Sequence, residues 1–519
     1  MKCILVDLLS APLGLPTRRP ATASLALQML SAYSQRSGFQ SVIVDAYSSG
    51  LSVEETAKKI SSVKGPKLLG FAVMSSHVVS RIESVLTLLD LHACDIQHVT
   101  LGGYFATFNQ DFLLQRLGKV NSVMRFEVDQ VFAQLVSAVA EGYDWKELPG
   151  IAYREDGKVT VSAGITYPRN LDELPLADRS FERPDTNEVY IQTSRGCYGK
   201  CTFCLNIMFS NQEGMPNWRF RSAESVVDEI AHLAKDRGIR KYNIVDENFL
   251  GGRQKDARWR AHRIADLLIK NNLNIKFSIS CRANDIDSDL LAHLRDAGLF
   301  SILLGIESGS SGFLRSIKKG TTVDTNTAAI KMVREAGISL SLGFMPYRPG
   351  TTLDSLDAEF RFLDSHVRGA RLSPGLSQQL RGQLWVYEGS PEYHALNQKG
   401  VRMQRDANTR NMFRYAECSD VVTFRKVNNT LLEMIEAAAT EIANLQIPHT
   451  RRMAYQRALD DLALDSSLGN LAAFHRHSKM DQSAFIKHAR HPLVGEVSDV
   501  HSLAQIENLL ERHGDSNGD

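Results

Sequence analysis

The 519-residue sequence has almost no net charge and lacks any long apolar run. Its 60 lysines and arginines nearly balance its 59 aspartates and glutamates, so the formal net charge is +1. A neutral chain has no overall field that attracts nucleic acid or an anionic membrane. No apolar run reaches the length of about 18 to 20 residues that crosses a bilayer, and residues 1–7 lack the length and cleavage site of a signal peptide. We therefore expect a cytoplasmic protein with a small-molecule or peptide substrate and with no nucleic-acid or membrane partner.

Histidine and cysteine are scarce where a zinc site would need them. The chain has seven cysteines, an odd number with three close together, which favours reduced thiols and a metal centre over a disulfide framework. No histidine occurs in residues 1–76 or 99–231, and these three are the only cysteines in residues 95–280. Because structural zinc takes four protein ligands, the sequence argues against zinc.

The three close cysteines form the most informative motif. Cys197, Cys201 and Cys204 lie on a glycine-containing loop directly after the apolar, strand-like residues 189–191. Three thiolates can point at one soft metal centre. A [4Fe-4S] cube held by three thiolates keeps one iron open, and an open iron can bind the amine and carboxylate of S-adenosylmethionine while passing it the electron that its reductive cleavage requires. The alternative is three buried structural thiols, since free cysteine is often buried.

This loop resembles the cluster loop of the radical SAM enzymes, and the aromatic Phe203 before the last cysteine fits that family's pattern. The resemblance implies that Cys197, Cys201 and Cys204 hold a [4Fe-4S] cluster and that S-adenosyl-L-methionine (SAM) binds beside it. It also implies an electron donor such as flavodoxin or ferredoxin.

Residues 1–145 alternate between strand-like and helical segments. The strand-like runs lie at residues 2–8, 41–45, 68–74, 98–101 and 122–126. This alternation predicts a parallel, doubly wound, Rossmann-like sheet whose ligands lie beyond the carboxyl ends of the strands. The loops after the third and fourth strands therefore supply the candidate ligand residues, which are Met74, Ser75, Ser76, His77, Gly102, Gly103, Tyr104 and Phe105.

Because it precedes a radical SAM core, this domain resembles the cobalamin (B12)-binding domain of the B12-dependent members of that family. The resemblance implies that the eight candidate residues bind cobalamin, with Gly102 and Gly103 letting the backbone approach the corrin or its nucleotide tail. Residues 125–127, Arg-Phe-Glu, depart from the Gly-Glu pair that relatives often carry after the fifth strand. The alternative is a Rossmann-like domain that has kept its shape without binding cobalamin.

One further motif resembles a cobalamin site. Residues 364–369 read Asp-x-His-x-x-Gly, and in cobalamin-dependent mutases the histidine of this motif ligates cobalt. In those proteins the motif follows the first strand of the B12 domain, whereas here His366 ends a helical run in another domain. We interpret the match as a coincidence and expect no such histidine ligand in this chain.

The remaining sequence divides into a linker, a barrel and a tail. Residues 146–187 contain a β-hairpin around an Asp-Gly pair and several prolines, and form the linker. Residues 188–395 contain six strand–helix units, which predict a partial (β/α)6 barrel with its chemistry at the carboxyl ends of the strands. Residues 396–519 are mainly helical, most clearly at 431–445 and 452–464. The expected fold is therefore α/β, with a Rossmann-like B12-binding domain, a radical SAM partial barrel and a helical C-terminal domain.

The ends of the barrel strands supply candidate SAM contacts by analogy with the family. Asp246, Glu247 and Asn248 follow the second strand, where the family places a motif that binds the SAM amino group, and a carboxylate is a natural partner for an ammonium. The other candidates are Ser280 and Arg282 after the third strand, Glu307 after the fourth, Met345 after the fifth, and Phe203 in the cluster loop.

Together these features predict a cobalamin-dependent radical SAM methyltransferase that acts on an unactivated carbon of a small molecule or peptide. The resemblance implies that SAM cleavage leads to a substrate radical and that cobalamin delivers the methyl group. One alternative is a radical SAM dehydratase, cyclase or oxidoreductase with a vestigial B12 domain. Another is an iron–sulfur redox or binding protein without catalysis.

Overall fold

The computed structural model describes residues 1–8, 24–182, 186–210, 212, 214–252, 254–372, 375–405, 412–415, 419–444 and 449–476. Within these ranges the strands and helices follow the predicted alternation closely. The five strands expected in residues 1–145 each differ from the observed strands by one or two residues at an end. Cys418, the last residue of the predicted helical run 431–445 and the first residues of the predicted helix at 21–36 lie outside the described residues.

A seven-stranded sheet organises the N-terminal part of the chain, and its order is β2-β1-β3-β4-β5-β6-β7. Its strands are β1 (Lys2–Asp7), β2 (Gln40–Asp45), β3 (Lys67–Ala72), β4 (Ile96–Gly102), β5 (Ser122–Met124), β6 (Ile151–Glu155) and β7 (Lys158–Val161). The helices are α1 (Leu25–Arg36), α2 (Ala46–Ser49), α3 (Val53–Ser62), α4 (Val79–Leu91), α5 (Tyr104–Phe108), α6 (Gln110–Arg116) and α7 (Asp129–Glu141). Strands β1 to β5 are parallel, and apolar clusters cover both faces of the sheet, as expected for a doubly wound domain.

The hairpin that the sequence assigns to the linker extends this first sheet. Strand β6 pairs antiparallel with β5, and β7 pairs antiparallel with β6. The turn is the predicted Asp-Gly pair, with φ of 49° at Asp156 and 77° at Gly157, which matches the left-handed geometry of a tight hairpin turn. Pairing to β5 buries Ile151, Ala152 and Tyr153, so the hairpin is held to the sheet by apolar contacts that the local sequence does not specify.

The second part of the chain builds a parallel barrel sheet. The strands in this part of the chain are β8 (Glu188–Ile191), β9 (Ser194–Gly196), β10 (Trp218–Phe220), β11 (Lys241–Ile244), β12 (Lys276–Arg282), β13 (Leu299–Glu307) and β14 (Ser339–Phe344). The helices are α8 (Leu205–Ser210), α9 (Ala223–Asp236), α10 (Lys255–Asn271), α11 (Ser288–Asp296), α12 (Ser311–Ser316), α13 (Val323–Glu335) and α14 (Leu353–Val367). The barrel order is β14-β13-β12-β11-β8, and β9 pairs antiparallel with β10 beside it.

The sixth barrel position is contacted by two single parallel bridges rather than by a long strand. Leu340 of β14 bridges to Leu372, and Tyr347 bridges to Gln383. The predicted last strand at residues 383–387 contains only β15 (Val386–Tyr387), which pairs antiparallel with a later strand. Five continuous strands and two bridges leave the barrel open at one side, where another domain can pack.

The C-terminal part combines helices with a small sheet that the sequence does not indicate. Its elements are α15 (Leu376–Leu380), β15, α16 (Pro391–Gln398), β16 (Met403–Arg405), β17 (Met412–Tyr415), α17 (Ser419–Asn444) and α18 (His449–Arg476). Side chains of α17 and α18, including Phe424 and Leu459, belong to the same apolar core as the barrel. No helix in the described ranges is long and apolar enough to cross a membrane. The three boundaries between the four segments stated above remain predictions.

Candidate active site

The cysteine loop is held in place by the residues that follow β11. Asp246 accepts hydrogen bonds from the Thr193 backbone N–H at 2.7 Å, from Thr193 Oγ1 at 2.6 Å and from Ser194 Oγ at 2.6 Å. A carboxylate offers about four acceptor positions, so this buried side chain is largely used by the loop. Glu247 accepts from the Gly196 backbone N–H at 3.1 Å. Both carboxylates therefore fix the approach to Cys197.

Two more segments hold the middle of the loop. The Thr202 backbone N–H donates to the Ile317 carbonyl oxygen at 2.9 Å, directly after α12. Thr202 Oγ1 donates to Glu392 Oε2 at 2.5 Å, and the Glu392 backbone N–H donates to the Thr202 carbonyl oxygen at 3.1 Å. These contacts tie the loop to both the barrel and α16.

The three thiols suit an iron–sulfur cluster because they are at least partly buried and have the cations Lys319 and Arg282 nearby. Burial raises the pKa of Cys204 to about 11 and also raises the pKa of Cys197, and in each case the neighbouring thiols add to the shift. Lys319 acts in the opposite direction on both. In the described ranges no three His, Cys, Asp or Glu side chains meet closely enough to bind one metal ion. The thiolates of a cube bind separate iron atoms and do not need to meet at one point.

The inside of the barrel holds a cavity of about 440 Å³ beside this loop. Small hydroxyl side chains leave it open, and its lining includes Asn243, Val245, Asp246, Ser278, Ser280, Ser301, Leu303 and Ser341. Two residues after Asp246, the buried Asn248 donates from Nδ2 to Asp285 at 3.1 Å, while its Oδ1 has no hydrogen-bond partner among the described residues. A buried acceptor without a partner is costly unless a ligand satisfies it, so the polar groups here fit a hydrogen-bonding ligand such as SAM.

The other predicted SAM contacts are engaged elsewhere. Glu307 forms a buried ion pair with Lys319 at 2.8 Å, and Phe203 and Met345 pack against the small apolar cluster around Leu384. Arg282 contacts a cluster cysteine, as described below. Of the eight predicted contacts, Ser280 and Asp246 line the barrel cavity and Glu247 lines a second cavity.

This second cavity, of about 390 Å³, lies between the N-terminal sheet and the barrel. Its N-terminal wall includes Leu25, Met29, Phe71, Met74, Gly102, Gly103, Tyr104, Met124, Phe126, Glu127 and Asp129, and its barrel wall includes Gln192, Arg195, Gly196, Phe209, Val245 and Glu247. Val245 lines both cavities. The two spaces therefore share a wall residue directly after β11, next to the Asp246 that holds the cysteine loop.

Two glycines at the end of β4, Gly102 and Gly103, border the interdomain cavity. A Cβ on Gly102 would meet no atom within 4 Å. Gly103 has φ of 109°, and a Cβ there would lie 2.9 Å from the Val73 carbonyl oxygen, so only glycine fits. This open, glycine-bordered space suits a large flat cofactor that needs close backbone approach.

Half of the residues predicted for cobalamin line this cavity. Met74, Gly102, Gly103 and Tyr104 are on its wall, and Tyr104 Oη donates to Asn206 Oδ1 at 2.7 Å. The other four predicted residues, Ser75, Ser76, His77 and Phe105, are not on its wall. After Val73 the chain turns into a 3-10 helix, Ser76–Val78, that leads away into α4, and Phe105 is fully buried in the N-terminal core.

Phe126 and Phe209 form an aromatic wall that the sequence analysis missed. Phe126 has φ of 62°, a left-handed backbone that costs a non-glycine residue about 1 to 2 kcal/mol. Its ring lies 5.6 Å from that of Phe209, and its backbone N–H donates to Thr107 Oγ1 at 3.1 Å. One signal for this wall is present in the sequence: residues 125–127 read Arg-Phe-Glu, where the resemblance leads us to expect a Gly-Glu pair. The structure shows that phenylalanine occupies this turn in a glycine-like conformation.

A buried charge network, also missed, joins the two domains at the cavity. Arg195, two residues before Cys197, pairs with Asp129 at 2.6 Å and with Glu127 at 2.9 Å, and Glu127 also pairs with Arg219. Burial alone would lower the pKa of Arg195, but the Asp129 and Glu127 carboxylates outweigh it and raise that pKa. Burial would raise the pKa of Asp129, but Arg195 outweighs it and lowers that pKa. Arg195 and Asp129 are therefore each held in the charged form by the other.

Comparison with known proteins agrees with this architecture. Residues 191–363 match the family model described as the Radical SAM superfamily. An uncharacterized methyltransferase of Pyrococcus horikoshii is 26% identical over 331 residues, which are 62% of this chain and 68% of that protein. An anaerobic magnesium-protoporphyrin IX monomethyl ester cyclase of Rubrivivax gelatinosus is 29% identical over 346 residues, which are 64% of this chain and 60% of the cyclase.

A solved structure matches nearly the whole fold. The cobalamin-dependent S-adenosylmethionine radical enzyme OxsB, with aqua-cobalamin and SAM bound, superimposes with a TM-score of 0.77. The match covers 98% of this chain and 83% of OxsB at 17% sequence identity. The predicted α/β class, with a Rossmann-like domain before a partial barrel, is confirmed. Residues 191–363 of this chain are therefore similar to the radical SAM superfamily.

Proposed function

We propose that the protein is a cobalamin-dependent radical SAM methyltransferase that acts on an unactivated carbon of a small molecule or peptide. The observation that carries this proposal is that two cavities beside the cysteine loop share a wall residue. Gly196, the neighbour of Cys197, and Val245 both line the interdomain cavity, and Val245 also lines the barrel cavity. A substrate placed there would reach the contents of both spaces.

Each proposed cofactor has its own set of residues. Cys197, Cys201 and Cys204 would hold the [4Fe-4S] cluster. SAM would use Ser280, Glu247 and the unpartnered Asn248 Oδ1, and cobalamin would lie against Met74, Gly102, Gly103 and Tyr104. When bound, the cluster with SAM supplies hydrogen abstraction from an unreactive carbon, and cobalamin supplies methyl transfer.

The chain's own residues orient these groups and exclude water. The apolar wall of the interdomain cavity, with Leu25, Met29 and Phe71, removes water from the reaction space. Arg195 and Asp129 seal the boundary between the domains with a buried pair. Asp246 fixes the start of the cluster loop through three hydrogen bonds. These fixed contacts keep the two cavities aligned without a large rearrangement.

The relatives support this assignment and also a second candidate. One matched relative carries a methyltransferase name and another a cyclase name, so an oxidative cyclisation by the same radical core is the alternative. In both readings the substrate is a small molecule and an external donor such as flavodoxin or ferredoxin supplies electrons. The two differ in what happens to SAM. Methyl transfer consumes SAM to S-adenosylhomocysteine as well as to 5′-deoxyadenosine, whereas cyclisation without cobalamin gives only 5′-deoxyadenosine.

The first experiment tests cofactor binding without knowledge of the substrate. Protein is purified anaerobically, and bound iron, sulfide and hydroxocobalamin are measured. We expect Cys201→Ala to lose the cluster while Cys94→Ala and Cys281→Ala retain it, because a site with three thiolates has no spare ligand. Wild-type iron and sulfide in Cys201→Ala would refute the cluster assignment.

The second experiment tests the interdomain cavity. Gly102→Leu fills open space on the cavity wall, and Gly118→Leu is a matched control, because a Cβ at either glycine meets no atom within 4 Å. We expect Gly102→Leu to lose hydroxocobalamin binding at least tenfold and Gly118→Leu to bind like the wild type. Equal binding of hydroxocobalamin by both variants would contradict the cobalamin site. In a separate turnover assay, formation of S-adenosylhomocysteine distinguishes methyl transfer from cyclisation.

A further inference from the structure

Arg282 ends β12 beside the cysteine loop, and its charge has no carboxylate partner. The side chain is 6% exposed, and none of the ion pairs in the described ranges includes it. Its Nη1 donates to Cys201 Sγ at 3.3 Å, and its Nη2 donates to the Lys319 carbonyl oxygen. Burying a guanidinium without a counter-charge is expensive. The groups near this guanidinium that can carry negative charge include the thiols of Cys201 and Cys197 and the Tyr198 hydroxyl, and Cys201 is the thiol that accepts its hydrogen bond.

The surroundings of Arg282 hold the guanidinium on that sulfur. The guanidinium carbon lies 5.2 Å from the centre of the Tyr198 ring, and Tyr198 Oη donates to Asp285 Oδ1 at 2.5 Å. Gly199 makes room on the other side, because a Cβ at that position would overlap Arg282 Nη1. An aromatic ring, a backbone carbonyl group and a glycine therefore hold the Arg282 guanidinium against the Cys201 sulfur. The side chain of Arg282 is fixed in this contact by its surroundings.

We propose that Arg282 is a positioning residue that sets the reduction potential of the cluster through its hydrogen bond to Cys201, a role distinct from the SAM contact that the sequence predicts for it. The inference rests on the proposed function, since it requires the cluster. Cluster potentials depend on net charge and on hydrogen bonds to the sulfurs. Reduction adds a negative charge to the cluster, and a buried cation at 3.3 Å stabilises that charge. Arg282 thus makes the cluster easier to reduce.

Two kinds of variant remove the contact. Arg282→Met removes the charge at similar side-chain length, and Arg282→Lys keeps a charge without the planar fork. Gly199→Ala keeps Arg282 but displaces its Nη1 from the sulfur. Arg263→Met removes a cation from an exposed pair with Glu224, and Gly118→Ala adds a methyl group in open space. These last two variants are the matched controls.

The readout is the midpoint potential of the cluster, followed by electron paramagnetic resonance during a reductive titration of anaerobically reconstituted protein without SAM. We expect a more negative potential in Arg282→Met and Gly199→Ala, a smaller shift in Arg282→Lys and no shift in the controls. SAM affinity is measured in parallel by equilibrium dialysis. Wild-type potentials in Arg282→Met and Gly199→Ala would overturn the inference. Loss of SAM binding at an unchanged potential would instead assign Arg282 to SAM.

Other outcomes are also decisive. If Arg282→Met holds no cluster, retention of a cluster with a near-wild-type potential by Arg282→Lys supports the charge requirement. The proposed role of Arg282 is overturned if Arg282→Lys also lacks the cluster. It is likewise overturned if Gly199→Ala has the wild-type potential. A wild-type protein without any cluster would refute the proposed function itself. An intact wild-type cluster that is indifferent to residue 282 would refute only this inference.

Discussion

The buried pair of Arg195 and Asp129 offers the sharpest test of how the two domains are joined. Asp129→Asn removes one carboxylate and leaves two guanidiniums, Arg195 and Arg219, sharing Glu127. Breaking a buried ion pair on one side costs about 3 to 5 kcal/mol. At about 2 to 4 °C per kcal/mol for domains of 150 to 250 residues, the expected loss in apparent Tm is about 6 to 20 °C.

The assay is thermal unfolding at pH 7 followed by circular dichroism, using the first transition because a chain of several domains does not unfold in two states. Asp90→Asn is the control, since Asp90 pairs with Lys119 at the exposed surface and such pairs contribute little. We expect its Tm to change by less than about 2 °C. Equal losses in the two variants would refute the importance of the buried pair.

The same reasoning predicts a rescue and a pH dependence. Arg195→Met combined with Asp129→Asn leaves one guanidinium for one carboxylate, and replacing a buried pair by apolar atoms is often neutral, so the double variant should recover at least half of the lost Tm. The folded pKa of Asp129 is lowered, so its contribution is present above the unfolded pKa of about 3.9. The contribution is lost as pH falls through the lower folded pKa. The gap between wild type and Asp129→Asn should therefore narrow in acid, and a gap that widens there would contradict the linkage.

Three further predictions concern other parts of the molecule. Gly103→Ala should lower Tm and Gly102→Ala should not, because only the first places a Cβ against the Val73 carbonyl oxygen, at 2.9 Å; equal Tm values would disprove the steric reading. Glu247→Gln should weaken SAM binding at least tenfold while leaving the cluster absorbance unchanged, and unchanged dialysis affinity would remove Glu247 from the SAM site. Burial raises the pKa of Asp460 in the folded protein to about 7. The contribution of this carboxyl group to the free energy of unfolding is therefore fully present below the unfolded pKa of about 3.9 and is lost as the pH rises to 7. Asp460→Asn should therefore unfold at a higher temperature than wild type at pH 8 and at a similar temperature near pH 4, and the reverse order would show that the sign is wrong.

The sequence predicted those features that depend on local pattern. Alternating apolar runs located the parallel strands, and the Asp-Gly pair at residues 156–157 located a hairpin whose turn has the expected left-handed backbone. The spacing of Cys197, Cys201 and Cys204 pointed to one loop, and Gly102 and Gly103 line the predicted cavity. In each of these cases the physical requirement, such as a positive φ or an open backbone, is met by the residue itself and needs no distant partner.

The sequence failed where a side chain's role depends on a partner far along the chain. The SAM contact expected for Asp246 stays a prediction, and the sequence does not reveal that Thr193 and Ser194 use most of its acceptor positions. Arg195 finds its carboxylates 66 and 68 positions earlier in the chain, a distance that no local pattern reveals. The hairpin was assigned to a linker because its pairing with β5 is equally invisible in one sequence.

The cysteine loop emerges as a segment held by every major part of the chain. In the N-terminal domain, Asp129 pairs with Arg195 of the loop. In the barrel, Asp246 and Arg282 form hydrogen bonds to the loop, and in α16 Glu392 accepts a hydrogen bond from Thr202 of the loop. Each of these contacts is an ion pair or a charge-assisted hydrogen bond with little exposure to solvent. Each is therefore strong, and removing one partner is strongly destabilising. Damage in any of the three regions should therefore appear as lost iron even where no cysteine is touched. The two cavities on either side of the loop thus share one scaffold, and the filling of one should stabilise the geometry of the other.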